Sequence, residues 1–346
     1  MMECTYPGAV LRRWNHLKRI LCLLLALGLC LLAAPSVRAE TAQIPQAVEQ
    51  ARQSLVHLYG IGTDSETGRR SRWTGTGFAV GIAGEDSDIF LTNWHVATGS
   101  GKYADDQVEL WLLKDDAKFG SDQRPLPGCA VKCRVLITTD GYPDVAVIQA
   151  LAPVSGCKAL PLLSSRRVAD GTTVYALGFP GLKAAQNSGP EDALVSCGQV
   201  QDHLIMARAG GSQAVIHSAA IEHGFSGGPL VDERGVVVAQ NAYGFEQDVS
   251  TDLFCAVYMD YGMKLLDQLN ISYTTADGPS RITVLMANLL HMPDISPILA
   301  AILFALALAL VLGFILYFIN TARQAQAELR QWLARRREKK EDAHED

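Results

Sequence analysis

The chain has 346 residues, 49% of them hydrophobic, and a net charge of −6; it is long enough to bury a sizeable core, although two apolar blocks inflate that fraction. Residues 40–319 hold 18 basic and 29 acidic side chains, a net of −11. That balance argues against nucleic acid as a partner and leaves at most a weak preference for cationic ligands.

The first apolar block reads as a secretory leader. Arg12, Arg13, Lys18 and Arg19 precede the run from Ile20 to Ala34, and Val37-Arg38-Ala39 supplies small residues for cleavage before Glu40. An uncleaved anchor is the competing reading, but residues 20–34 fall short of the roughly 20 residues a spanning helix needs. The leader is therefore 1–39.

Ala47, Val48, Ala51, Leu55 and Val56 predict a helical turn that runs into a strand from Leu55 to Gly60. The polar stretch Thr63 to Arg72, with Arg69, Arg70 and Arg72, reads as a solvated hairpin tip. Strands are expected over Trp73 to Val80 and Ile89 to Asn93, the second delivering His95, and then over Val108 to Leu113 and Val131 to Thr139. The turn Gly141-Tyr142-Pro143 releases the chain into Asp144 and the apolar Val145 to Ile148. Asp140 is a rival acid, but the apolar run behind Asp144 favours burial of the latter. A connection rich in Pro, Ser and Gly, from Ala152 to Arg167, separates two halves.

Further strands follow: Thr172 to Leu177, Leu194 to Val200, Leu204 to Arg208, Ala214 to Ser218, Leu230 to Val231, Val236 to Gln240 and Phe254 to Met259. Many short strands divided by turn residues predict an all-β barrel or sandwich. Met263, Leu265, Leu266 and Leu269 predict a closing helix, so the folded body is 40–270, followed by a linker, 271–294. The second apolar block, Ile295 to Ile319, has no charged residue and predicts a transmembrane helix. Arg323, Arg330, Arg335, Arg336, Arg337, Lys339 and Lys340 then place the tail, 320–346, in the cytoplasm and the body outside it.

Cys129, Cys133, Cys157, Cys197 and Cys255 lie in the body, and an odd set leaves at least one thiol outside any internal disulfide. Cys129 and Cys133 have no second pair at zinc spacing, so no metal site and no cofactor are expected.

The chemistry concentrates at His223-Gly224-Phe225-Ser226-Gly227-Gly228-Pro229-Leu230-Val231. A serine among glycines, ahead of an apolar run, displays its hydroxyl on a tight turn. Glycine at 224 permits φ > 0 and lets its N–H face an oxyanion beside that of Ser226. Upstream, Leu91-Thr92-Asn93-Trp94-His95-Val96 and Asp144-Val145-Ala146-Val147 place a histidine and an aspartate at strand ends. The chain order His95, Asp144, Ser226 is one in which a catalytic triad occurs.

Taken together, Gly-x-Ser-Gly-Gly-Pro, Leu-Thr-Asn-x-His-Val and Asp-x-Ala-Val resemble the trypsin-like serine peptidases, most of all the HtrA/Deg branch. Thr74-Gly75-Thr76-Gly77-Phe78, Val174 to Gly181 and Ala256-Val257-Tyr258-Met259 extend the resemblance over roughly residues 45–270. It implies two packed six-stranded β-barrels, a triad of His95, Asp144 and Ser226, an oxyanion hole from the amides of Gly224 and Ser226, and polypeptide substrates. Between Asn270 and the second apolar block there is no room for the PDZ module that many HtrA relatives carry. Phe225 departs from the family's aspartate or asparagine, so activation through a freed N-terminus is not expected. Counting back from Ser226 puts Ala220 at the base of the specificity pocket, with Asn241, Ala242 and Tyr243 along its facing edge; small or medium apolar side chains would fit. The expected function is a membrane-anchored serine endopeptidase of extracytoplasmic proteins. The alternative is an inactive peptidase-fold binding module on the same tether, and oligomeric state stays open.

Overall fold

In strand β1 (Leu55–Thr63) every residue but Thr63 is buried. A strand with one wet face cannot do this; β1 has Val56 and Leu58 in one cluster and Tyr59 and Ile61 in another, against Leu113, Ala117 and Phe119. The computed structural model describes residues 43–181, 185, 187–206, 210–244, 252–291, 302, 305–306, 308–320 and 323. The chain divides into a unit Met1–Ile44, of which only 43–44 are described, and a unit Pro45–Asp346, which contains everything below.

Barrel one comprises β1, β2 (Arg70–Ala79), β3 (Ile89–Thr92), β4 (Val108–Leu113), β5 (Ala130–Thr138) and β6 (Ala146–Ala150). Its antiparallel order β1-β2-β3-β6-β5-β4 closes through pairing of β1 with β4. Barrel two comprises β7 (Thr173–Gly178), β8 (Leu194–Met206), β9 (Ser212–His217), β10 (Pro229–Asp232), β11 (Val237–Gly244) and β12 (Phe254–Tyr258). Its order β10-β11-β12-β9-β8-β7 closes through β10 and β7. Closure leaves no edge to pair with a stranger. Among the described residues, helices α1 (Gln46–Arg52), α2 (Trp94–Thr98), α3 (Met259–Gln268) and α4 (Arg281–His291) accompany the barrels.

The apolar alternation of each strand sorts into distinct cores. Val56, Leu58, Phe90 and Ile148 cluster within barrel one, and Val174, Ala176, Val215 and Leu230 within barrel two. Phe78, Leu91, Val145, Val147, Leu177 and Met259 form a third cluster that joins strands of both barrels with α3. The unbroken run at 145–148 thus has one face in a barrel and one in the seam.

Two expectations are revised. Leu194 to Val200 and Leu204 to Arg208 are one strand, β8, as far as Met206; residues 207–208 lie outside the described set. Gln201-Asp202-His203 conceals this because β8 is largely exposed there and shifts register between Val200 and Asp202, so no apolar alternation marks the join. The segment expected as a linker is partly structured, pairing Thr275 with Leu162 and forming α4. Among the described residues no helix is long and apolar enough to cross a membrane. Of the expected span, Ile295 to Ile319, only 302, 305–306 and 308–319 are described, and they are helical. The expected leader lies outside the described residues, as does the tail apart from residues 320 and 323. Cys129, Cys133, Cys157 and Cys197 carry free thiols, and burial pushes those of Cys133 and Cys157 up to about 12, making them inert.

Candidate active site

His95 is delivered by a short helix rather than by the strand end itself. β3 stops at Thr92, and α2 begins after Asn93 and closes at Gly99, whose φ of 64° is the left-handed C-cap that glycine takes without strain. A Cβ at Gly99 would stand 2.7 Å from the Trp73 ring, so packing demands glycine as well. This one-turn helix points the imidazole at Asp144.

The carboxylate of Asp144 holds His95 twice. Oδ2 lies 2.6 Å from His95 Nδ1, and Oδ1 accepts the His95 amide at 3.0 Å. Asn93 Nδ2 donates to the Asp144 carbonyl at 2.8 Å, fixing the acid's own backbone. Asp144 is 5% exposed, whereas Asp140 is exposed and takes no part. A carboxylate oxygen accepts, so Nδ1–H donates to it and Nε2 is the ring nitrogen left for another partner.

Ser226 rides on a turn that links the barrels. Phe225 N–H donates to Glu222 O at 3.0 Å and Gly228 N–H to Phe225 O at 2.9 Å. Thr76 of β2 reaches across from barrel one: its amide donates to Ser226 O at 2.8 Å and its hydroxyl to Gly224 O at 2.7 Å. The same hydroxyl accepts from Phe179 N–H at 2.9 Å. Gly224 has φ 106°, and a Cβ there would come within 2.5 Å of Phe179 O. The amides of Gly224 and Ser226 find no acceptor among the described residues and are available to an oxyanion.

Phe225 seats the turn. It is 2% exposed and joins the core of barrel two. A Cβ at Gly178 would meet its ring at 2.6 Å, so Gly178 makes room for it. An apolar wedge thus anchors the turn.

Two clefts flank the site, both lined by His95 and Ser226. One, of about 440 Å³, is bordered by Arg72, Trp73, Lys102 and Tyr103. The other, of about 670 Å³, is bordered by Trp94, Tyr142, Ile221, Glu222, Ala242 and Phe254. The Ser226 hydroxyl donates to Ala242 O at 2.8 Å, on the side of the second cleft, and not to His95. Turning to His95 exchanges this one neutral hydrogen bond, worth about 0.5–1.5 kcal/mol.

The expected pocket residues fare unevenly. Ala242 lines the larger cleft. Ala220 is exposed and lines neither cleft; its neighbours Ile221 and Glu222 line the larger one. Asn241 is fully buried and structural: its Nδ2 donates to Pro229 O at 3.1 Å, while its backbone bonds Gly227 and Gly228. Tyr243 is described through its backbone, which pairs with Cys255. Thr76, Ile221 and Phe254 were not singled out; only the Thr-Gly-Thr-Gly-Phe motif hinted at the first.

A buried histidine lies behind Thr76. His57, which pairs with Thr76 in the β1–β2 register, is fully buried, stacks on Phe179 at 4.7 Å and has Nδ1 2.9 Å from Ser188 Oγ. Burial pulls its pKa down to about 4, so it is neutral at pH 7.

Residues 75–239 match the family described as a trypsin-like peptidase domain, and all of His95, Asp144 and Ser226 fall inside that range. No curated protein matches the chain. Among solved structures the fold resembles an HtrA-type protease, AlgW, with tripeptide: 20% identity, 64% of this chain and 62% of that one covered, TM-score 0.46. This chain therefore spans less than two thirds of that protein's length.

Proposed function

We propose that this trypsin-like peptidase domain is a working serine endopeptidase of HtrA/Deg type, acting on extracytoplasmic polypeptides and tethered through residues 295–319. One observation carries the reading: the buried Asp144 carboxylate lies 2.6 Å from His95 Nδ1, with Ser226 on the wall of the same clefts.

In this reading Asp144 orients His95 and stabilises its imidazolium, and His95 Nε2 takes the proton of Ser226 as Oγ attacks the peptide carbonyl. The amides of Gly224 and Ser226 receive the oxyanion. His95 then passes its proton to the leaving amine, and water hydrolyses the acyl-enzyme. Ile221, Ala242 and Phe254 give the larger cleft an apolar wall for a medium side chain, while Arg72 and Lys102 give the smaller one a cationic rim.

The tether is supported by an uncharged run long enough to span and by helical residues whose apolar side chains are largely exposed: Leu310 is 75% and Phe314 67% exposed. With residues 1–39 as a cleaved leader, the peptidase body lies outside and the basic tail in the cytoplasm.

A second reading, a membrane-tethered peptide-binding module without turnover, is favoured by one observation: the Ser226 hydroxyl rests on Ala242 O. Incubation of the full chain with an unfolded protein, with products identified by mass spectrometry, separates the two. New termini that vanish with Ser226→Ala support the peptidase; bound but intact substrate supports the module.

A further inference from the structure

Helix α4 (Arg281–His291) has one face on barrel two and one apolar face without a protein partner among the described residues. Val284 is 7% exposed, and Asn288 Oδ1 accepts the Asp170 amide at 2.9 Å. The lead into the helix is pinned too: Arg167 binds the carbonyls of Gly278 and Pro279, and Arg234 that of Asp277. On the far side Ile282, Leu285 and Met286 are 74%, 59% and 43% exposed. At positions i, i+3 and i+4 they form one stripe. Residues 281–291 include no acidic side chain, and Arg281 stands exposed at the start.

We propose that this stripe lies in the headgroup and acyl boundary of the lipid bilayer, docking the peptidase body flat against the membrane. The inference rests on reading Ile295 to Ile319 as a span. Chain length selects the occupant. Residues 292–294 alone separate α4 from the uncharged run, and at about 3.6 Å per residue they reach little more than 10 Å. A helix on so short a leash stays within the interfacial layer, where an amphipathic helix buries its apolar face about 5–10 Å deep. Three large apolar side chains left in water beside a bilayer are driven into it. Arg281 at the rim suits lipid phosphate. Ile205, 71% exposed, adds apolar surface on the face of β8 that carries His203, whose ring approaches Asp170 at 3.8 Å. Docking fixes the height and orientation of the clefts above the membrane, so substrates are segments that reach that plane.

The test uses the full chain in phosphatidylcholine nanodiscs with a nitroxide at Leu285→Cys, Thr283→Cys or Leu310→Cys, the unsubstituted chain serving as the blank for native thiols. Collision with oxygen, which concentrates in lipid, is compared with collision with a water-soluble nickel chelate. The expected result is a several-fold preference for oxygen at 285 and 310 and for nickel at 283. Oxygen preference at 310 with nickel preference at 285 overturns the docking and leaves the span standing. Protection from both reagents at 285 means a protein covers the stripe and also overturns it. Nickel preference at 310 removes the span itself, and the docking with it.

Discussion

The hydroxyl of Thr76 donates to the carbonyl of Gly224 at 2.7 Å, so a strand of barrel one sets the turn that presents Ser226 from barrel two. The neighbouring amide of Thr76 does the same for Ser226 O. The turn that carries Ser226 is thus a property of the seam and not of either barrel alone. Thr76→Val keeps the shape but leaves Gly224 O and Phe179 N–H without the hydroxyl. The expected cost is about 1–3 kcal/mol in denaturant unfolding. kcat falls more than KM rises, and Thr76→Ser restores most of both; an unchanged kcat contradicts the positioning role.

Gly178 and Phe225 act as one unit. Gly178→Ala pushes a methyl into the Phe225 ring, and Phe225→Ala removes a buried aromatic, each costing on the order of 3 kcal/mol. In the double variant the ring is gone but the new methyl still stands 2.7 Å from the Phe225 Cα, so the strain is only partly relieved and the combined loss falls somewhat below the sum. A combined loss larger than the sum in thermal melts rules out this packing.

The oxyanion reading predicts that Gly224→Ala lowers kcat by about 10²–10³, because φ 106° and the 2.5 Å approach to Phe179 O displace the amide. Binding of an uncleavable peptide changes little. A parallel loss of binding and turnover assigns Gly224 to general folding instead.

Acid stability follows from two buried histidines. His57 and His217 are both held near pKa 4 by burial, against an ordinary value of 6.5. Depressed folded values mean that the unfolded chain binds the protons first. Stability is therefore complete above about pH 6.5 and falls as pH drops from there toward 4, by up to about 3 kcal/mol for each histidine. Urea unfolding across this window shows the slope, and His57→Gln flattens it; equal slopes in both proteins defeat the assignment.

Much of this was legible in the sequence, for identifiable reasons. Eleven of the twelve strands follow from alternation and turn residues, because each has a buried face to record. β8 reads as two because its middle is solvated on both sides of the ribbon. The His95–Asp144 pairing is implied by motifs that end strands meeting side by side, β3 against β6. Ala220 misleads because counting along a chain fixes a position and not the direction its side chain takes; the residue is exposed, and its neighbours Ile221 and Glu222 line the cleft. Asn241 misleads because a buried amide and a pocket amide look alike until its partners, Pro229 O and Leu177 O, are seen. Thr76 escapes notice since it acts through the seam, about 150 residues from the turn it holds.

The central claim is that an imidazole held by Asp144 makes Ser226 nucleophilic. Its most direct measurement is the rate of phosphonylation by a fluorophosphonate, with the modified residue located by mass spectrometry. A single adduct on Ser226 is expected, absent in Ser226→Ala and formed at least 10³-fold more slowly in His95→Ala. Folded protein that forms no adduct, or reacts equally fast without His95, contradicts it.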